Sequence, residues 1–87
     1  HKALAARLST TLPHGGVARQ WFVNGEVLAL LPLDGAEGHA VALVWSLPPD
    51  RADALQQTPG AELAAAVQQR CQAALGDMSL RGAAQTW

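Results

Sequence analysis

The sequence predicts an α+β fold: a largely antiparallel or mixed β-sheet with two helices on one side. Three observations carry this. Apolar and polar residues alternate along residues 2–12, and an Asn24-Gly25 turn joins two further strand-like runs. In the C-terminal half, Leu63, Val67, Cys71 and Leu75 recur every four residues. Strands come first and helices later, which implies layered α+β packing rather than alternating βα units.

Taken in order, Leu4, Ala6, Leu8, Thr10 and Leu12 fall on one side of the first run, and Lys2, Arg7, Ser9 and Thr11 on the other. Period two means a half-buried strand. Pro13-His14-Gly15-Gly16 breaks it into a loop. Val17–Val23 reads as the second strand and Glu26–Leu33 as its return, because Asn-Gly favours the positive φ angles of a type I′ turn. A two-residue turn sets Val23 opposite Glu26, Phe22 opposite Val27 and Gln20 opposite Ala29. One face of the hairpin then carries Ala18, Gln20, Phe22, Val27, Ala29, Leu31 and Leu33. The other carries Arg19, Trp21, Val23, Leu28, Leu30 and Pro32. Both faces are largely apolar, so the hairpin is expected to be covered on both sides.

A loop at 34–38 leads to a fourth strand, His39–Leu47, apolar enough to be covered on both faces. Pro48-Pro49 ends it. Asp50 is placed to cap a short helix to about Gln57, and Thr58 to cap a longer one with Pro59 at its first position. The stripe of Leu63, Val67, Cys71 and Leu75, widened by Ala64 and Ala74, runs to Gly76 as a stop. Met78 and Leu80 alternate with Ser79 and Arg81, the start of a last strand.

Composition narrows the function classes. The chain has 87 residues, 49% hydrophobic and only 15% charged. That charged share is below the roughly 25% usual for soluble domains, so part of the surface is expected to meet other protein. The net charge of −1 and six scattered Lys and Arg residues give no footprint for nucleic acid. A single cysteine, Cys71, makes no disulfide framework. The chain begins at His1-Lys2 and ends at Trp87, and both ends read as cuts through a longer sequence.

Catalytic chemistry finds little support. His1, His14 and His39 are far apart, and none stands at metal-ligand spacing with another or with Cys71. His14, beside Pro13 and two glycines, is the histidine with most claim to a role. Cys71 reads as a small buried hydrophobe and Asp50 and Asp53 as helix-start residues. Glu26, just after the turn, is expected to face solvent. No G-x-G-x-x-G, P-loop or G-x-S-x-G pattern is present. The expectation is no catalytic, cofactor-binding or metal residue in this chain. Trp21 and Trp45 are core candidates that also suit the wall of an aromatic pocket.

The ordered series Pro13-His14, Ala18-Arg19-Gln20-Trp21-Phe22, Leu28-Ala29-Leu30-Leu31-Pro32-Leu33 and Leu43-Val44-Trp45-Ser46-Leu47-Pro48 resembles a known stretch. It is similar to the middle of the ubiquinone-biosynthesis FAD-dependent hydroxylases, the polyprenyl-phenol monooxygenases, within the flavoprotein aromatic hydroxylases. The resemblance runs from about Ala3 to Trp87, and its specificity lies in the order and spacing of the segments. One departure is an Asn24-Gly25 turn tighter than the family's. The family's glycine fingerprint, Asp-Gly motif and Gly-Asp motif have no counterpart here.

What the resemblance implies is the substrate-binding part of a larger flavoprotein. FAD would be held by an FAD-binding domain of the same parent chain, with NAD(P)H as reductant and an aromatic or prenylated phenol as substrate. The parent would be a cytoplasmic oxidoreductase, or peripheral to the inner membrane. Gln20 matches the family's A-x-Q-x-F motif, and Leu31 and Leu33 match the second half of L-A-L-L-P-L. With Phe22 they form the implied substrate-binding set, Gln20 orienting the ring and the others walling it. Two arrangements are open: this face looks toward the flavin, or it packs on the helices. The alternative to the whole reading is a stand-alone α+β binding or self-association module without catalysis.

Overall fold

A computed structural model describes residues 1–86. Strand β1 runs over Lys2–Thr10, β2 over Arg19–Val23, β3 over Glu26–Pro32 and β4 over Ala40–Leu47. Helices α1, Pro49–Gln56, and α2, Gly60–Arg70, follow, and β5, Met78–Thr86, closes the chain. The five strands make one sheet in the order β2-β3-β4-β1-β5, every pair antiparallel. The fold is therefore α+β, as the strand and helix periods predict.

Period-two alternation decides which side of the sheet is buried. Leu4, Ala6 and Leu8 of β1 join Leu28 and Leu30 of β3 and Val41, Leu43, Trp45 and Leu47 of β4 on one face. Ala52 of α1 and Leu63, Ala64 and Val67 of α2 pack onto that face. Met78, Leu80 and Ala84 extend it onto β5. The core is thus a single layer between helices and sheet.

Several local expectations are corrected. Only one face of the β2–β3 hairpin is covered within this chain: both helices lie on the Leu28–Leu30 side, and Phe22 on the other side is 72% exposed. The face of β4 away from the helices is likewise only partly buried. Asp50 does not cap α1. Pro48 is the N-cap residue and Pro49 starts the helix, so Asp50 lies in the first turn, where the dipole favours its charge. Thr58 does not cap α2. Its Oγ1 turns back to the Ala54 carbonyl at 2.8 Å, and Pro59, which disfavours helical backbone at the residue before it, takes the cap position.

Helix α2 also stops earlier than Gly76. Gln72 and Ala73 take positive φ angles of 58° and 54°, and the Ala73 N–H reaches back to the Gln68 carbonyl at 2.9 Å. This wraps the helix end as a left-handed cap does. Cys71, the C-cap residue, and Leu75 in the turns that follow are still buried in the core, although this part of the stripe is not helical; Ala74, expected to widen the stripe, is exposed.

Candidate ligand-binding face

The hairpin turn has Asn24 at φ 52° and Gly25 at φ 79°, as a type I′ turn requires. It fixes Val23 opposite Glu26, Phe22 opposite Val27 and Gln20 opposite Ala29. Alternation then sends Gln20, Phe22, Val27, Ala29 and Leu31 to the face away from the helices. The register continues across β4, where Val27 meets Ser46, Ala29 meets Val44 and Leu31 meets Ala42. It continues into β1, where those residues meet Ala3, Ala5 and Arg7. The open face is therefore a floor of small side chains with larger apolar groups along one margin.

All four residues named from the resemblance lie on this face. Gln20 and Phe22 are exposed on β2, and Leu31 on β3 is 40% exposed. Leu33, half-buried, stands just past the end of β3, its N–H donating to the Ala40 carbonyl at 3.1 Å. Gln20 and Leu31 are diagonal neighbours, because Gln20 pairs with Ala29, two residues before Leu31. Diagonal neighbours lie about 7–8 Å apart, close enough to touch one ligand.

His14 supports the end of this margin. The Gly16 N–H can only donate, so Nδ1 of His14 accepts it, at 2.8 Å. Nε2 then carries the proton and donates to the Leu33 carbonyl at 3.0 Å. His14 is buried, and Arg19 donates to its backbone carbonyl at 3.1 Å. The Nδ1 bond closes the 13–16 loop on itself and the Nε2 bond ties that loop to the residue just past β3, so His14 positions Leu33. His39 donates from Nδ1 to the Thr10 carbonyl at 2.8 Å and ties β1 to the start of β4.

On the helix side, Glu26 is buried, contrary to the expectation that it faces solvent. The Trp45 indole N–H donates to Oε1 of Glu26 at 3.2 Å, and Arg51 of α1 pairs with Oε2. Arg70 of α2 stands 3.6 Å from Oε1. Both guanidinium carbons also approach the Trp45 ring, at 5.7 Å and 5.6 Å from its centroid, within cation–π range. This cluster pins both helices to the hairpin. Lys2 and Asp53 make a second link, at 2.7 Å, between β1 and α1.

Cys71 is a buried free thiol. Burial away from water pushes its pKa up, only partly opposed by backbone hydrogen bonds near Ala73 and Ala74. Among the described residues no group of three or more His, Cys, Asp or Glu is placed to hold a metal ion. No helix of the described residues is long and apolar enough to cross a membrane. No protein-family profile matches the chain.

Proposed function

We propose that this chain is the substrate-binding part of an FAD-dependent aromatic-ring monooxygenase acting on a polyprenyl phenol in ubiquinone biosynthesis. The observation that carries the reading is the one-sided sheet. The helices take one face, and the four residues that match the hydroxylase motifs share the other. A floor of mostly small side chains, Ala5, Ala29, Ala42, Val44 and Ser46, edged by Phe22, Leu31 and Leu33, suits an aromatic ring and an apolar tail. Gln20 supplies the one polar group of the set, able to accept from or donate to a phenolic oxygen.

The division of labour follows from these side chains. FAD, held by a separate domain of the same parent protein and reduced by NAD(P)H, would supply the oxygen chemistry when bound. This chain's open face fits the ring end of such a site. Both helices lie behind the sheet, so no helix N-terminus on that face is available for a diphosphate. Gln20 orients the phenol, and the apolar margin binds the substrate body and keeps water from it. The setting is cytoplasmic, at the inner membrane surface if the substrate carries its polyprenyl tail there.

The test is expression of the complete reading frame that encodes this chain. A purified product that carries FAD, and oxidises NAD(P)H faster when a prenylated phenol is added, is the expected result. A flavin-free product without such oxidation overturns the reading. Exposure of Phe22 and Leu31 favours a second reading, a self-associating module, which would appear as a flavin-free, monodisperse oligomer.

A further inference from the structure

Arg7 of β1 and Arg81 of β5 stand directly opposite one another across the strand pair. Both are exposed, and neither makes an ion pair with a described residue. Like charges placed directly opposite in a sheet are destabilising. The fold nevertheless holds them there. Ala6 and Leu8 flank Arg7 and are buried toward the helices, and Leu80 beside Arg81 packs on the same core. A slip of one residue would bury a guanidinium and expose leucine, so neither arginine can leave this face.

The strand beside them is irregular. Arg7 pairs with Arg81, but Ala5 pairs with Gln85, so β5 uses four residue steps where β1 uses two. Gly82, next to Arg81, takes φ 77° in this bulge. Bulges re-aim side chains and are over-represented next to functional sites. Arg7 and Arg81 together line two shallow clefts of about 400 and 420 Å³. One reaches Ala5, Ala42 and Val44, and the other reaches Leu33, Asp34 and Ala40. Asp34 is exposed at the rim, and the three charged side chains sum to one positive charge.

The same row of the sheet runs from Arg81 through Arg7 and Ala42 to Leu31. At about 4.8 Å per strand, Arg7 lies about 10 Å from Leu31, with one alanine between. We propose that Arg7 and Arg81 together clamp the carboxylate of a ligand whose apolar body lies over Ala42 against Leu31. Guanidinium groups match a carboxylate through paired N–H donors, and an anion between two of them relieves their repulsion. The inference deepens the reading of this face as a ligand site. Its test reads binding alone, so it stands or falls apart from the flavin chemistry.

The experiment titrates the 87-residue chain at low salt with para-octylbenzoate and with the neutral para-octylbenzamide, followed by calorimetry. The benzoate is expected to bind roughly tenfold more tightly than the amide. Arg7→Gln and Arg81→Gln, at exposed positions that leave the core intact, should each remove most of that preference without weakening the amide. Asp34→Asn should tighten the benzoate by removing a competing carboxylate. Equal affinity for the two probes overturns the proposal, as does an unchanged preference in the Arg81→Gln chain. Inorganic phosphate that competes as well as the alkylbenzoate also overturns it.

Discussion

The indole N–H of Trp45 on β4 donates to the carboxylate of Glu26 at the start of β3, and arginines from both helices close over the same pair. One carboxylate thus links two strands and two helices. Glu26→Gln keeps an acceptor for the indole but leaves Arg51 and Arg70 without a counter-charge. Breaking a fully buried pair costs about 3–5 kcal/mol. Arg51 is 44% exposed and recovers hydration, so the expected loss is about 1–3 kcal/mol. Urea unfolding measures it, and a change within error would show that the cluster contributes nothing to stability.

Leu30 and Leu31 are chain neighbours with opposite fates. Leu30 is buried against the helices, and Leu31 lies on the open face. Leu30→Ala should cost about 2–5 kcal/mol. Leu31→Ala should cost under about 1 kcal/mol, while reducing the binding of apolar ligands or dyes. Similar destabilisation by the two would mean that both faces are covered.

Cys71 sets an alkaline dependence. Its folded pKa is raised, chiefly by burial, so the unfolded chain loses the thiol proton first. The native advantage is complete below the unfolded thiol's pKa and is lost as pH rises through the folded value. Unfolding free energy should fall with pH above the ordinary thiol range, and Cys71→Ala should remove that part of the slope. The native thiol should also resist alkylation near neutral pH until the chain is unfolded. Rapid native labelling would contradict its burial.

If the monooxygenase reading holds, Gln20→Ala in the complete protein should lower turnover of the phenol roughly tenfold, the worth of one well-placed hydrogen bond. Flavin content should not change, because Gln20 is exposed on the open face and this chain carries no dinucleotide-binding glycine motif. Steady-state rates normalised to bound FAD make the comparison. Unchanged turnover removes Gln20 from the site.

Much of this was legible in local chemistry. Asn24-Gly25 dictates the hairpin register, and the observed partners of Gln20, Phe22 and Val23 follow from it. The same register also pointed to Glu26, which shares the parity of Leu28 and Leu30 and so belongs to the covered face. What hid it was the expectation that a charge beside a turn is solvated. Its partners Arg51 and Arg70 lie 25 and 44 positions further on, in segments whose docking no local pattern gives. Which face the helices choose is non-local too, since both hairpin faces are apolar. The opposition of Arg7 and Arg81 needs the pairing of β1 with β5, and β5 itself departs from regular alternation at Gly82.

The strand order carries a consequence for how the chain acquires its shape. β1 lies between β4 and β5, so Lys2 waits for Leu47, and Leu4 waits for Thr86, almost the whole chain away. The β2–β3 hairpin can form as soon as it is synthesised, but the N-terminal strand has no neighbour until much later. Contacts this distant in sequence make for slow folding, because a long loop must close before they contribute. During translation β1 therefore stays an unpaired, leucine-bearing ribbon, exposed to other nascent chains until β4 has emerged, and still open along one edge until β5 arrives. Capture of β1 is the expected slow step, and premature termination before Met78 would leave that edge permanently open to aggregation.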